Sequence, residues 1–190
     1  MRMLTFVRLS TRLVARGTWH EFRFPANGLH HRAGPYGLAI AAHLQFVGID
    51  FRIFGSPMRR WLSQMPKSML LKSEGCASSL PDPAGRHNLA QYCREEGLPY
   101  SEYGARVSRG VLARYAVSFQ QKLVPHVEDV LVIAVSKLRD GFELSLSSGE
   151  KLHSANVIVA TGMDYMAHSP EELGRLPRPN CGRTPLTTMT

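Results

Sequence analysis

The run Ala33-Gly34-Pro35-Tyr36-Gly37-Leu38-Ala39-Ile40-Ala41 constrains the fold more than any other part of this chain. Its glycines open a segment in which Leu38, Ala41, Ala42 and Leu44 recur at helical spacing, and Gly48 stands where a C-cap belongs. The pattern supplies the last two glycines of G-x-G-x-x-G. Gly34 falls where backbone must come close to a pyrophosphate, Gly37 where a helix must lie tight on a sheet, and the small Ala41 permits the same close packing one turn on. The start of such a helix offers free N–H groups and the positive end of its dipole to phosphates. Turn glycines ahead of an ordinary helix give the same short pattern, so the motif alone leaves both readings open.

The remaining elements follow from periodicity and punctuation. Residues 49–54 read as a short buried strand stopped by Gly55-Ser56-Pro57, and residues 57–86, poor in periodic features, read as a long loop excursion. Asn88 followed by Gln91 has capping-box form and predicts a helix over 89–96. Ser108 is a candidate N-cap for a second helix with Val111, Tyr115, Phe119 and Leu123 on one face and Pro125 as its stop. Apolar runs at 131–137 and 142–146, punctuated by Asp140-Gly141 and Ser148-Gly149, predict an antiparallel β-meander, and 157–160 reads as a buried strand. The expected class is α/β, a Rossmann-like parallel sheet with an antiparallel β-meander.

Charge bears on what such a domain binds. The formal net charge of +8 would by itself point to an acidic partner. Its placement argues otherwise: residues 1–32 carry +5, residues 175–190 carry +3, and the span between is neutral. No folded-surface gathering of Lys and Arg with aromatics is visible, so nucleic acid is not an expected partner, and a basic nucleic-acid-binding protein is the least favoured function. The apolar stretches fall short of a bilayer span, so no membrane association is expected. Cys76, Cys93 and Cys181 are far apart and odd in number, which excludes a disulfide framework and predicts a reducing, cytoplasmic setting. His30, His31, His87, His126, His153 and His168 lack metal spacing and read as surface or turn histidines, so no metal site is expected. No G-x-S-x-G elbow is present, and no catalytic acid, base or nucleophile can be named.

Three segments together carry a family resemblance: AGPYGLAIAAHL, FRIFGSPMRRWLSQMPKSMLLKSEG and VIVATG, in this order and spacing. They resemble the FAD-binding part of two-dinucleotide-domain flavoproteins and, within that group, the NADPH-dependent flavin monooxygenases, including amine N-hydroxylases of the lysine and ornithine type. The resemblance covers about residues 33–178, and its most distinctive part is the joint occurrence of Trp61, Met65-Pro66 and Met69-Leu70-Leu71-Lys72-Ser73. It implies NADPH- and oxygen-dependent hydroxylation of a small nucleophilic substrate, with FAD as cofactor. It further implies that Gly34, Pro35, Tyr36 and Gly37 lie at the FAD phosphates and that Trp61, Met65 and Met69 shield the flavin from water. The Ala160-Thr161-Gly162 triplet resembles the family's ATG segment, where the chain leaves the FAD domain near the cofactor, and the resemblance implies that Val135 stands at a strand position whose backbone amide often meets adenine. Core packing is the alternative for Trp61 and the methionines, and a solvated loop or charge pair the alternative for Lys72 and for Arg59-Arg60.

The pattern also breaks at both ends. Arg32 stands where the first fingerprint glycine belongs; its side chain would crowd the pyrophosphate, and reduced FAD affinity is expected. Residues 1–32 lack the apolar first strand expected before that glycine. This basic arm reads either as a transit-type segment, Arg-rich and acid-poor, or as sequence foreign to the fold, and in both cases as poorly ordered. Beyond residue 178 the likeness ends in a tail, 179–190, and no second G-x-G-x-x-G follows to receive NADPH. The expectation is therefore a partial FAD-binding domain over 33–178, incomplete at both ends. A noncatalytic truncated or frame-disrupted relative is the alternative to an active enzyme.

Overall fold

The computed structural model describes residues 5–8, 22–23, 33–160 and 162. Arg32, Thr161, the tail 179–190 and most of the basic arm lie outside the described residues, as do His30, His31, His168 and Cys181.

The elements run β1 (Thr5–Arg8), β2 (Phe22–Arg23), α1 (Pro35–Phe46), β3 (Arg52–Phe54), α2 (Arg59–Ser63), a 3-10 turn (Gly75–Ser78), α3 (Leu89–Glu95), α4 (Arg109–Leu123), β4 (Val127–Glu128), β5 (Val132–Leu138), β6 (Gly141–Leu146), β7 (Lys151–Ser154) and β8 (Asn156–Val159). They form a mixed α/β fold with two sheets, ordered β4-β3-β1-β8 and β2-β5-β6-β7. The first sheet pairs β3 with β4 in parallel, while β1 runs antiparallel to both β3 and β8. The second is the antiparallel meander, with β2 on its outer edge. Two short stretches of the basic arm are thus strands of these sheets.

Alternation along the strands sorts side chains into three layers. Ile53 faces a core shared with Leu38, Ala41 and Ala42 of α1, Leu89 and Tyr92 of α3, and Leu112, Tyr115 and Phe119 of α4. Its neighbour Phe54 faces the opposite way, into a second core with Val132, Val135, Leu144 and Leu146 of the meander. Ile158 and Val157 of β8 divide in the same manner. Successive residues of a strand point to opposite faces, so the first sheet lies between a helical layer and the meander. Arg52 ties the two sheets together, with Nε and Nη2 each 2.7 Å from Glu128 of β4 and Nη1 2.8 Å from Glu150 of the β6–β7 turn.

Local capping sets the helix starts. The Asn88 side chain accepts from the Gln91 amide and the Ser108 hydroxyl from the Val111 amide, each satisfying one orphan donor. The reciprocal half of the capping box is not made, because the Gln91 side chain donates to Glu95 one turn on. Several expectations need correction. The excursion 57–86 contains α2 and the 3-10 turn; α2 buries no residue and so leaves no apolar stripe in the sequence. β8 is half-buried, with Val159 43% exposed, and is not the fully buried strand its apolar run implies. His87 is no surface histidine. Asp82 gathers the amides of Ala84, Arg86 and His87 and folds that loop inward, so the His87 ring packs against Tyr115 and Phe119.

Candidate functional site

Register places the sequence motifs along one edge of the first sheet. Phe6 of β1 stands opposite Ile53 on one side and Ile158 on the other, so β3 and β8 run in the same direction and end at the same level. Gly55, which follows β3, and Ala160 and Gly162, which follow β8, therefore emerge together at the C-terminal edge, where open α/β sheets take their ligands. The start of α1 is fastened to that edge. The Ala33 amide donates to the Ser56 carbonyl at 3.0 Å and the Met58 amide to the Ala33 carbonyl at 2.9 Å.

The opening of α1 fits an anion. Gly34 is the N-cap, with φ −78° and ψ 178°, and no side chain caps the helix. Pro35 sits in the first turn, where its missing N–H costs nothing. The amides of Tyr36 and Gly37 meet no acceptor among the described residues. No acidic residue lies in the first turn, so the dipole's positive end is uncompensated. A Cβ placed on Gly34 would meet nothing within 4 Å, which leaves open space beside the backbone. Tyr36 is 82% exposed beside that space, and Gly37 is buried. The residues present thus fit the pyrophosphate of a dinucleotide such as FAD.

A second group of predicted residues follows β3 directly. Met58 is buried with φ 50°, a strained left-handed conformation for a side chain of this size, and it turns the chain into α2. Trp61, Met65 and Met69 are each half-buried, with Trp61 and Met69 packed against the helical core. This segment is tied to the start of α4. Leu70 and Ser108 form an antiparallel bridge, and the Arg109 amide donates to the Met69 carbonyl at 2.8 Å. The Arg109 guanidinium reaches the other end, donating to the carbonyls of Trp61 and Leu62.

Val135 is not brought to this edge. It lies in the middle of β5, opposite Phe22 on one side and Leu144 on the other, in the meander layer. Gly162 turns with φ 68°, in the left-handed region that favours glycine. Lys72 is exposed, and Arg59 and Arg60 are half-buried in α2. Among the described residues no three His, Cys, Asp or Glu side chains gather as a metal site, and no helix is long and apolar enough to cross a membrane. Sequence reasoning missed Arg109 and Met58. Only an Arg placed at the first turn of a helix, the wrong end for a cation, signals the former; nothing local signals the latter.

No protein-family model and no curated protein matches the chain. Solved structures do match its fold. A flavin-containing monooxygenase from Stenotrophomonas maltophilia aligns with TM-score 0.57 and 23% identity over 74% of this chain and 41% of that one. A doubly substituted flavin monooxygenase from the same organism aligns with TM-score 0.57 and 21% identity over 74% of this chain and 40% of that one. At these identities the likeness establishes the fold, that of part of a flavin-monooxygenase-type structure. The chain spans about two fifths of the length of these structures.

Proposed function

We propose that this chain binds FAD and serves a flavin-dependent monooxygenation, with NADPH as electron donor and a small nucleophilic amine of the lysine or ornithine kind as substrate. The observation that carries the reading is the uncapped, acid-free start of α1, fastened at the C-terminal edge of the sheet with open space beside Gly34. The amides of Tyr36 and Gly37 would hold the pyrophosphate, and the Tyr36 ring would flank it. Trp61, Met65 and Met69 would form the apolar wall over the isoalloxazine. When bound, FAD supplies the redox and oxygen chemistry. The chain's own part is to bind, to orient and to keep water from the reacting centre. The turn holding Thr161 and Gly162 would lie near the cofactor; Val135, paired on both sides within the meander, is not proposed to meet the adenine.

A noncatalytic FAD-binding relative is the second reading, which the phosphate-fitting start of α1 supports equally because it bears on binding and not on turnover. Oxygen consumption decides between them. The chain reconstituted with FAD is mixed with NADPH and either lysine or ornithine. Amine-stimulated oxygen uptake with formation of the N-hydroxylated product is expected from the enzyme. Bound flavin that NADPH never bleaches would leave only the binding module.

A further inference from the structure

Arg109 occupies a place that stability alone does not explain. It is 8% exposed, it meets no carboxylate among the described residues, and its Nε is buried without a partner. A buried charge ordinarily has an opposite charge beside it, and an apolar side chain of similar size often serves the fold as well or better. The position is unfavourable too, because Arg109 opens α4, whose positive dipole end repels a cation. What Arg109 does hold is one stretch of chain by both ends. Its guanidinium takes the Trp61 and Leu62 carbonyls, and its amide takes the Met69 carbonyl. The stretch between contains Met65; Trp61 and Met69 pack half-buried against the helical core, and α2, in which Trp61 lies, has no fully buried side chain.

We infer that Arg109 is a positioning residue that clamps the 61–69 segment and presets the Trp61 indole for a flavin ring. This rests on the flavin reading for what Trp61 faces, and on the hydrogen bonds above for the clamp. A planar guanidinium suits the task, since it offers several donors in a fixed fork. Preset walls bind more tightly because less motion is lost when the ligand arrives.

Trp19 and Trp61 are the two tryptophans of the chain, so a Trp19→Phe background isolates Trp61 as a fluorescent reporter. In the flavin-free protein, Arg109→Met is expected to red-shift Trp61 emission and open it to acrylamide, while thermal unfolding stays cooperative. FAD titration should then show about tenfold weaker binding, the size of one lost charge-assisted hydrogen bond. Arg109→Lys should fall between, because an ammonium reaches carbonyls but lacks the fork. In a Trp61→Phe background, Arg109→Met should cost no further FAD affinity, since the two act through one indole. Unchanged Trp61 emission in Arg109→Met, or additive losses of affinity, overturns the inference. Should Arg109→Met not fold, Arg109→Lys decides: a parental Trp61 signal, or failure of this variant to fold as well, assigns Arg109 to the core and overturns the clamp. If the parent takes up no FAD, the flavin reading fails, and the flavin-free Trp61 signal alone decides whether Arg109 holds the segment.

Discussion

Replacing Gly34 with alanine separates folding from ligand binding at the start of α1. Gly34 has φ −78° and ψ 178°, a conformation that alanine adopts freely, and a Cβ there meets nothing within 4 Å. The folded chain therefore has no steric or backbone objection to the methyl group. The unfolded chain loses freedom, so stability should stay level or rise by about 0.4–1 kcal/mol. The same methyl group would stand in the space where a pyrophosphate must approach the Tyr36 and Gly37 amides. Pushing it away weakens a charge-assisted hydrogen bond worth about 1.5–3 kcal/mol. FAD affinity should fall about ten- to a hundredfold. Urea unfolding of the flavin-free protein and calorimetric FAD titration measure the two effects separately. Undiminished FAD affinity in Gly34→Ala would refute the placement of the phosphates, and a loss of flavin-free stability above about 1 kcal/mol would refute the claim that the space is open.

Other consequences concern the scaffold. Asn88→Ala and Ser108→Ala each remove the acceptor for one orphan helix amide and should lower stability by about 1 kcal/mol in urea unfolding. Gly75→Ala should cost about 1–3 kcal/mol, because its Cβ would run into the backbone carbonyl oxygen of Ser101, which cannot swing aside as a side chain does. Burial, with help from nearby Lys122, holds the His87 imidazole below its ordinary value of 6.5. A depressed base is protonated more readily in the unfolded chain, so this group's contribution is complete above that value and is lost as pH falls below it toward the folded-state value. His87→Phe should therefore flatten the acid limb of a stability profile between neutral pH and the carboxylate range, as read by thermal melting across pH.

How much of this was legible depended on whether the determining physics is local. Asn88, Ser108, Gly48 and Pro125 mark α1, α3 and α4 because caps and stops act within a turn of the residues they govern. The meander announced itself through Asp140-Gly141 and Ser148-Gly149, yet β7 escaped, since Lys151-Leu152-His153-Ser154 carries one large apolar residue and is a strand through its pairing with β6. The two-residue β4 exists because Ile53 and Phe54 pair with it. The Trp61 and Leu62 carbonyls of α2 are met by Arg109, many residues later in the chain, and no periodicity could reveal that. His87 was misread because a loop histidine next to Asp82 has no sequence mark of burial; the inward fold comes from three amides on one carboxylate. At the site, the start of α1 and the Trp61 segment could be named in advance from residues. Their common edge required the strand register through Phe6.

FAD uptake by the unmodified chain tests the central claim most directly. Flavin fluorescence is followed as the purified chain is titrated into FAD, with the excess removed by gel filtration and the visible spectrum recorded on the protein peak. The account predicts saturable quenching and a yellow protein peak carrying one flavin per chain, with tryptophan emission quenched in step. A colourless peak and FAD fluorescence that the chain never alters would contradict it.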